Sequence, residues 1–126
     1  MKKKVHVIAV VVAIVLILTM IWIYDNIYMV ETIKQEASLA ASQGDLEKVK
    51  SSISKKPQII NSYDRNGKTV LHTAVINGHL DMVDFLITSG TDVNMKDKDG
   101  NSPLKLAKNN NRKDIVELLT KKGAKE

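Results

Sequence analysis

The stretch GKTVLHTAV, Gly67 to Val75, opens with Gly-Lys-Thr, the ending of a phosphate-binding loop, and so admits a nucleotide-binding reading beside a structural one. A phosphate loop needs a glycine five residues before the Gly-Lys-Thr glycine and a strand leading into it. That position here is Ser62, and the apolar residues before it are only Ile59 and Ile60. The structural reading has Gly67 turning a loop, Thr69 capping the helix that follows, and Lys68 solvated. Self-comparison of the chain decides between the two.

"DRNGKTVLHTAVINGHLDMVDFLITSGTDVN" from Asp64 aligns with "DKDGNSPLKLAKNNNRKDIVELLTKKGAKE" from Asp97. Asp64 and Asp97, Gly67 and Gly100, Thr69 and Ser102, Leu71 and Leu104, Ala74 and Ala107, Val83 and Val116, Leu86 and Leu119, and Gly90 and Gly123 are each 33 apart. Coincidence at one period on this scale is a repeat. In the later copy Gly-Lys-Thr becomes Gly-Asn-Ser, which removes the lysine and with it the phosphate-loop reading. A degenerate earlier copy lies in "SLAASQGDLEKVKSSISKKPQIIN", where Ala40, Gly44, Leu46 and Val49 precede Ala74, Gly78, Leu80 and Val83 by 34. Asn61 precedes Asn94 by 33, so one extra residue falls between Ser54 and Asn61.

With its 33-residue period and the threonine-to-alanine signature around His72, the chain resembles the ankyrin-repeat family over residues 31–126. The fold class this implies is all-α: a solenoid of about three helix-turn-helix repeats, here preceded by one transmembrane helix. The expected divisions are a basic N-terminus at 1–4, an anchor at 5–24, a juxtamembrane helix or linker at 25–33, and a repeat domain at 34–126 with repeats at 34–63, 64–96 and 97–126. Thr69 and Ser102 are predicted helix N-caps and Pro103 the first helical residue, where its missing N–H is harmless. Gly44, Gly78 and Asn111 fall where the first helices end, a place for left-handed backbone, and Gly90 and Gly123 stop the second helices. Apolar spacing on the second helices selects Leu80, Val83 and Ile87, then Ile115, Leu118 and Leu119, as the inward face. Asp64–Gly67 and Asp97–Gly100 form turn-rich tips.

The resemblance also implies roles. The His72 ring should join the Thr69 hydroxyl to nearby backbone. Lys105 and Lys108, standing where His72 and Val75 would recur, suit an end repeat with a wetted outer face. Family members grip other proteins through loop tips and the concave face of the first helices. By position this makes Arg65, Asn66, Lys68, Thr73, Ile76 and Asn77, and Lys98, Asp99, Asn101, Asn109 and Asn110, the candidate partner-binding residues. Ile76 is the apolar one among them.

The N-terminus carries three lysines ahead of an uncharged run from Val5 to Tyr24, interrupted only by His6 and Thr19. At about 1.5 Å per residue this run spans about 30 Å, the thickness of a hydrocarbon core. It is longer than a signal-peptide core, lacks a small-x-small site after it, and has no polar face with which to pack in a small soluble domain. The predicted anchor is therefore uncleaved. Lys2, Lys3 and Lys4 place its N-terminal end in the cytoplasm, Trp22, Tyr24 and Tyr28 mark the far interface, and the repeats follow on the extracytoplasmic side.

Of the 19 Lys and Arg, three precede the anchor, leaving 16 against 14 Asp and Glu beyond it, a balance of +2. With Tyr28, Tyr63 and Phe85 the only aromatic residues there, a nucleic-acid partner is not expected. The chain has no cysteine, so disulfides, thiol catalysis and cysteine-bound metal are excluded. The carboxylate pairs Asp81 with Asp84 and Asp97 with Asp99 read as solvated helix faces and turn tips. No serine has an evident histidine and carboxylate set, so no catalytic, cofactor or metal residues are assigned. The expectation is a membrane-tethered, non-enzymatic protein-binding module with no nucleotide and no nucleic acid. The alternative is an immunity-type inhibitor that neutralises an enzyme or toxin by covering it, as some bacterial ankyrin-repeat proteins do.

Overall fold

A computed structural model describes residues 1–126. It is all-helical: α1 (Lys2–Gln43), α2 (Leu46–Lys55), a 3-10 turn (Pro57–Asn61), α3 (Val70–Asn77), α4 (Leu80–Thr88), α5 (Pro103–Asn109) and α6 (Lys113–Lys121). The chain divides within α1 into two compact units, Met1–Glu31 and Thr32–Glu126.

In the first unit every residue through Met29 is exposed, including the whole apolar run. By length and composition α1 is able to cross a membrane. The Tyr24 and Tyr28 rings lie one helical turn apart with centroids 4.2 Å from each other.

The second unit is a stack of three helix pairs: the end of α1 with α2, α3 with α4, and α5 with α6. From Thr32 onward α1 acquires an inward face, burying Ile33, Ala37, Ala40 and Ala41 at helical spacing. The small side chain of Ala40, with Ala74 and Ala107 at the matching places of α3 and α5, allows the first helices to lie close together. Leu71, Ala74 and Val75 of α3 are fully buried between the neighbouring pairs.

The predicted punctuation is present. The Thr69 and Ser102 hydroxyls accept from the N–H of His72 and Lys105, and Pro103 opens α5. Asn111 is the one non-glycine residue with positive φ, at 55°. It occupies the left-handed position that Gly78 holds after α3.

The inward face of the second helices differs from the expected one. Met82, Val83 and Leu86 of α4 and Ile115 and Leu119 of α6 are buried, whereas Leu80, Ile87 and Leu118 are half-buried. Six of the nine residues of α4 are apolar, so spacing alone picks out no unique stripe, and packing against the first helices decides which ones turn inward.

Successive pairs are joined by contacts that recur with the sequence period. His79 Nε2–H donates to the Ser42 carbonyl at 3.2 Å, and Arg112 Nη2, 33 residues later, donates to the Ile76 carbonyl at 3.0 Å. Each places a ring or guanidinium at the C-terminal end of the preceding first helix, where carbonyls lack helical partners and the helix dipole favours positive charge. The close approach requires glycine. A Cβ on Gly78 would lie 2.7 Å from Arg112 Cζ, and one on Gly44 would lie 2.8 Å from the His79 ring. Asn61 and Asn94 make a second periodic stitch, their Oδ1 atoms accepting from Asp92 N (2.8 Å) and Lys125 N (2.7 Å).

Candidate functional site

The turn tips are built around Asp64 and Asp97. Asp64 Oδ1 accepts from the N–H of Asn66 (2.8 Å) and Lys68 (3.0 Å), and its Oδ2 from Ser38 Oγ (2.5 Å). Asp97 repeats this arrangement, with Oδ1 accepting from the N–H of Asp99 (3.0 Å) and Asn101 (2.9 Å) and Oδ2 from Lys68 Nζ (3.3 Å). Each carboxylate thus folds its own tip and takes a donor from the preceding repeat. The tips also touch directly: Lys98 N donates to the Gly67 carbonyl at 3.0 Å, and a Cβ on Gly67 would fall 2.5–2.7 Å from the Lys98 side chain. Gly67 serves tip-to-tip packing.

Two expectations are corrected here. Asp97 is no solvated tip residue, being only 5% exposed. Burial alone would raise its carboxyl, but the hydrogen bonds from Asn101, Lys68 and Asp99 outweigh that effect and hold it below the usual carboxylate range. Lys68 is not simply solvated either. Its side chain is 26% exposed and reaches Asp97 at 3.3 Å and Asp99 at 3.8 Å.

His72 is fully buried and acts as a repeat-to-repeat strut. Its Nδ1 accepts from Thr69 N (3.2 Å) and lies 2.7 Å from Thr69 Oγ1. The proton then sits on Nε2, which donates to the Asn101 carbonyl of the next tip at 3.2 Å. Burial pushes its pKa down, with the Asp97 charge opposing. Both ring nitrogens are thus committed to structure.

Between the end of α1 and α3, beside the Asp64 tip, runs a groove of about 370 Å³. It brings together five of the expected residues: Asn66, Lys68, Thr73, Ile76 and Asn77. Two were expected to be exposed and are not, since Thr73 is 9% exposed in the groove floor and Ile76 is half-buried. Only part of each side chain is therefore presented to the groove. Asn77 Nδ2 donates to the Thr73 carbonyl at 2.8 Å, while the Asn66 side chain, at the exposed tip, makes no hydrogen bond within the chain.

The other expected residues lie outside the groove. Arg65, Lys98 and Asp99 are exposed at the tips. Asn101 is half-buried with its carbonyl taken by His72, and Asn109 and Asn110 are exposed at the end of α5, where Asn110 Nδ2 donates to Leu106 O at 2.8 Å.

The groove's other wall is Gln35, Ser38, Leu39 and Ser42 of α1, which sequence reasoning did not select. The signal was available. Leu39 and Ser42 precede Thr73 and Ile76 by the same 34 residues that align the first copy with the second. Leu39 is 58% exposed, the largest apolar surface in the groove.

The family model for ankyrin repeats matches residues 37–126 in three copies. Human transient receptor potential cation channel subfamily A member 1 is 43% identical over 74 residues, 59% of this chain and 7% of the channel. Human Notch-regulated ankyrin repeat-containing protein is 32% identical over 92 residues, 73% of this chain and 81% of that protein. Mouse protein phosphatase 1 regulatory subunit 27 is 34% identical over 82 residues, 65% of this chain and 53% of that protein. The chain thus spans from a small fraction to most of the length of these relatives.

Proposed function

The chain belongs to the ankyrin-repeat family, whose repeats generally bind other proteins, and from that premise we propose that it is a membrane-tethered, non-catalytic protein-binding module. The observation that carries this reading is the groove between α1 and α3, where Leu39 and Ile76 offer apolar surface beside the uncommitted amide of Asn66. Residues 5–24 form the anchor, with 1–4 on the cytoplasmic side, 25–33 as the juxtamembrane stretch, and the repeats of 34–126 on the extracytoplasmic side. What supports the anchor is the fully exposed apolar face of α1 in the first unit, which water would penalise at about 25 cal/mol per Å². What supports its orientation is the lysine triplet before it and the acidic residues Asp25 and Glu31 after it.

Tethering keeps the module at high effective concentration near partners in the same membrane or at its surface. Binding by the tips and the concave face covers Arg65, Asn66, Lys68, Thr73, Ile76 and Asn77 and, further along, Lys98, Asp99, Asn101, Asn109 and Asn110. Catalysis is not part of the reading, because the buried histidine and the buried carboxylate both hold repeats together.

The test is site-specific photo-crosslinking of the full chain in its native membrane. A photoreactive residue replacing Asn66 should capture a discrete protein, and one replacing Asp84 on the exposed face of α4 should not. Capture from Asp84 alone would move the binding surface to the second helices. Protease added from the outer side should digest the chain beyond about Asp25, and protection there would reverse the orientation.

A further inference from the structure

We propose that the ligand of the α1–α3 groove is an extended, uncharged peptide segment whose aliphatic side chain seats between Leu39 and Ile76. This rests on the protein-binding reading above and adds the chemistry of the ligand.

Charge is the first argument. The groove contains two charged side chains, Asp64 and Lys68, and both are already used. Asp64 accepts three hydrogen bonds from its own tip and Ser38, and Lys68 is shared between Asp97 and Asp99. One acid and one base leave the lining without net charge, so a charged ligand would lose its own hydration without compensation. The contrast with the other side of the stack is sharp. There Asp81, Asp84, Asp114 and Glu117 line a surface between α4 and α6 with only Lys121 to balance them. Charge complementarity therefore assigns an uncharged segment to the concave groove.

Conformation is the second argument. The polar groups left to the ligand are the Asn66 amide, a donor and an acceptor side by side, and the Asn77 side-chain oxygen, whose NH₂ group is held by Thr73. A side-chain amide is the hydrogen-bonding complement of a peptide group. Main-chain groups are unsatisfied in an extended segment but already paired in a helix, so the amides favour a strand-like ligand. Leu39, exposed on one wall, and Ile76, half-buried on the other, flank a space of about 370 Å³, room for an aliphatic side chain and the backbone carrying it.

The experiment uses full-length protein in lipid nanodiscs, panned with a displayed library of random peptides about a dozen residues long. The expected outcome is enrichment of sequences with an aliphatic residue among few charges, with affinity nearly constant between about 50 and about 500 mM salt. Leu39→Asp should weaken the selected peptides at least about tenfold with the melting temperature kept, since Leu39 is surface-exposed. Leu39→Met should retain binding. Enrichment of lysine-, arginine- or acid-rich peptides with steep salt dependence, no enrichment, or indifference to Leu39→Asp would each overturn the assignment. If peptides fail while the crosslinker at Asn66 still captures a protein, the face stands and the ligand class falls. If both fail, the protein-binding reading of this face falls with it.

Discussion

Gly78→Ala isolates the contact that clamps one repeat onto the next. Gly78 has φ +76°, and an alanine there takes on left-handed strain of about 1–2 kcal/mol. The new Cβ would also lie 2.7 Å from Arg112 Cζ and Nη1 and 2.9 Å from Nε, so the guanidinium must move. Moving it breaks the 3.0 Å hydrogen bond from Nη2 to the Ile76 carbonyl, a charged-donor bond worth about 1.5–3 kcal/mol. The combined loss is about 2.5–5 kcal/mol, a large share of the roughly 5–15 kcal/mol that holds a domain folded. Gly90→Ala is the control, because Gly90 has φ +91° and nothing within 4 Å of an added Cβ, leaving backbone strain alone. Urea titration of the full chain in nanodiscs, followed by circular dichroism, measures both. In an Arg112→Ala background Gly78→Ala should cost no more than Gly90→Ala, which gives a coupling of about 1.5–3 kcal/mol. Equal costs for the two glycines, or strict additivity with Arg112→Ala, would refute the clamp.

Leu71→Ala, at a fully buried position, should destabilise the domain by about 2–5 kcal/mol in the same titration. Lys68→Ala should cost about 1 kcal/mol, because it strips one donor from the buried Asp97 carboxylate while two N–H donors remain, and Lys98→Ala should be near neutral. Stability should also depend on pH through His72. Its folded pKa lies below the unfolded 6.5, so the unfolded chain binds the proton more readily. Stability is complete above about 6.5 and falls as pH drops through that value toward the folded pKa, a slope that His72→Gln should remove.

The local grammar of the fold was legible in the sequence because it is set by near neighbours. A threonine three residues before His72, a glycine at the end of α3 and a proline at the start of α5 each fix a backbone geometry that depends on little else. What stayed hidden depends on partners about 30 residues away. Nothing near Asp97 announces that Lys68 will reach it, and nothing near Gly67 announces that Lys98 will lie against it. Leu39 was missed for another reason. The residues that enter the groove, Gln35 to Ser42, lie inside α1, so no cap or glycine marks where the helix becomes a groove wall. Thr73 was misjudged because its place on the first helix reads as a concave, exposed one, whereas here it forms the floor of a groove and is 9% exposed.

The same clamp explains the departure at Asn111. At two junctions the residue after the first helix is glycine, and the following repeat lays His79 or Arg112 across it. Asn111 holds the matching left-handed place at φ 55°, but it carries a Cβ and an amide where Gly44 and Gly78 leave room. A ring or guanidinium could not close over it without displacing that side chain. Around it Lys105 and Lys108 are exposed, and Lys108 pairs with Glu126. Asparagine is the residue other than glycine that tolerates this backbone at least strain. The position therefore keeps the left-handed turn that ends α5 without glycine.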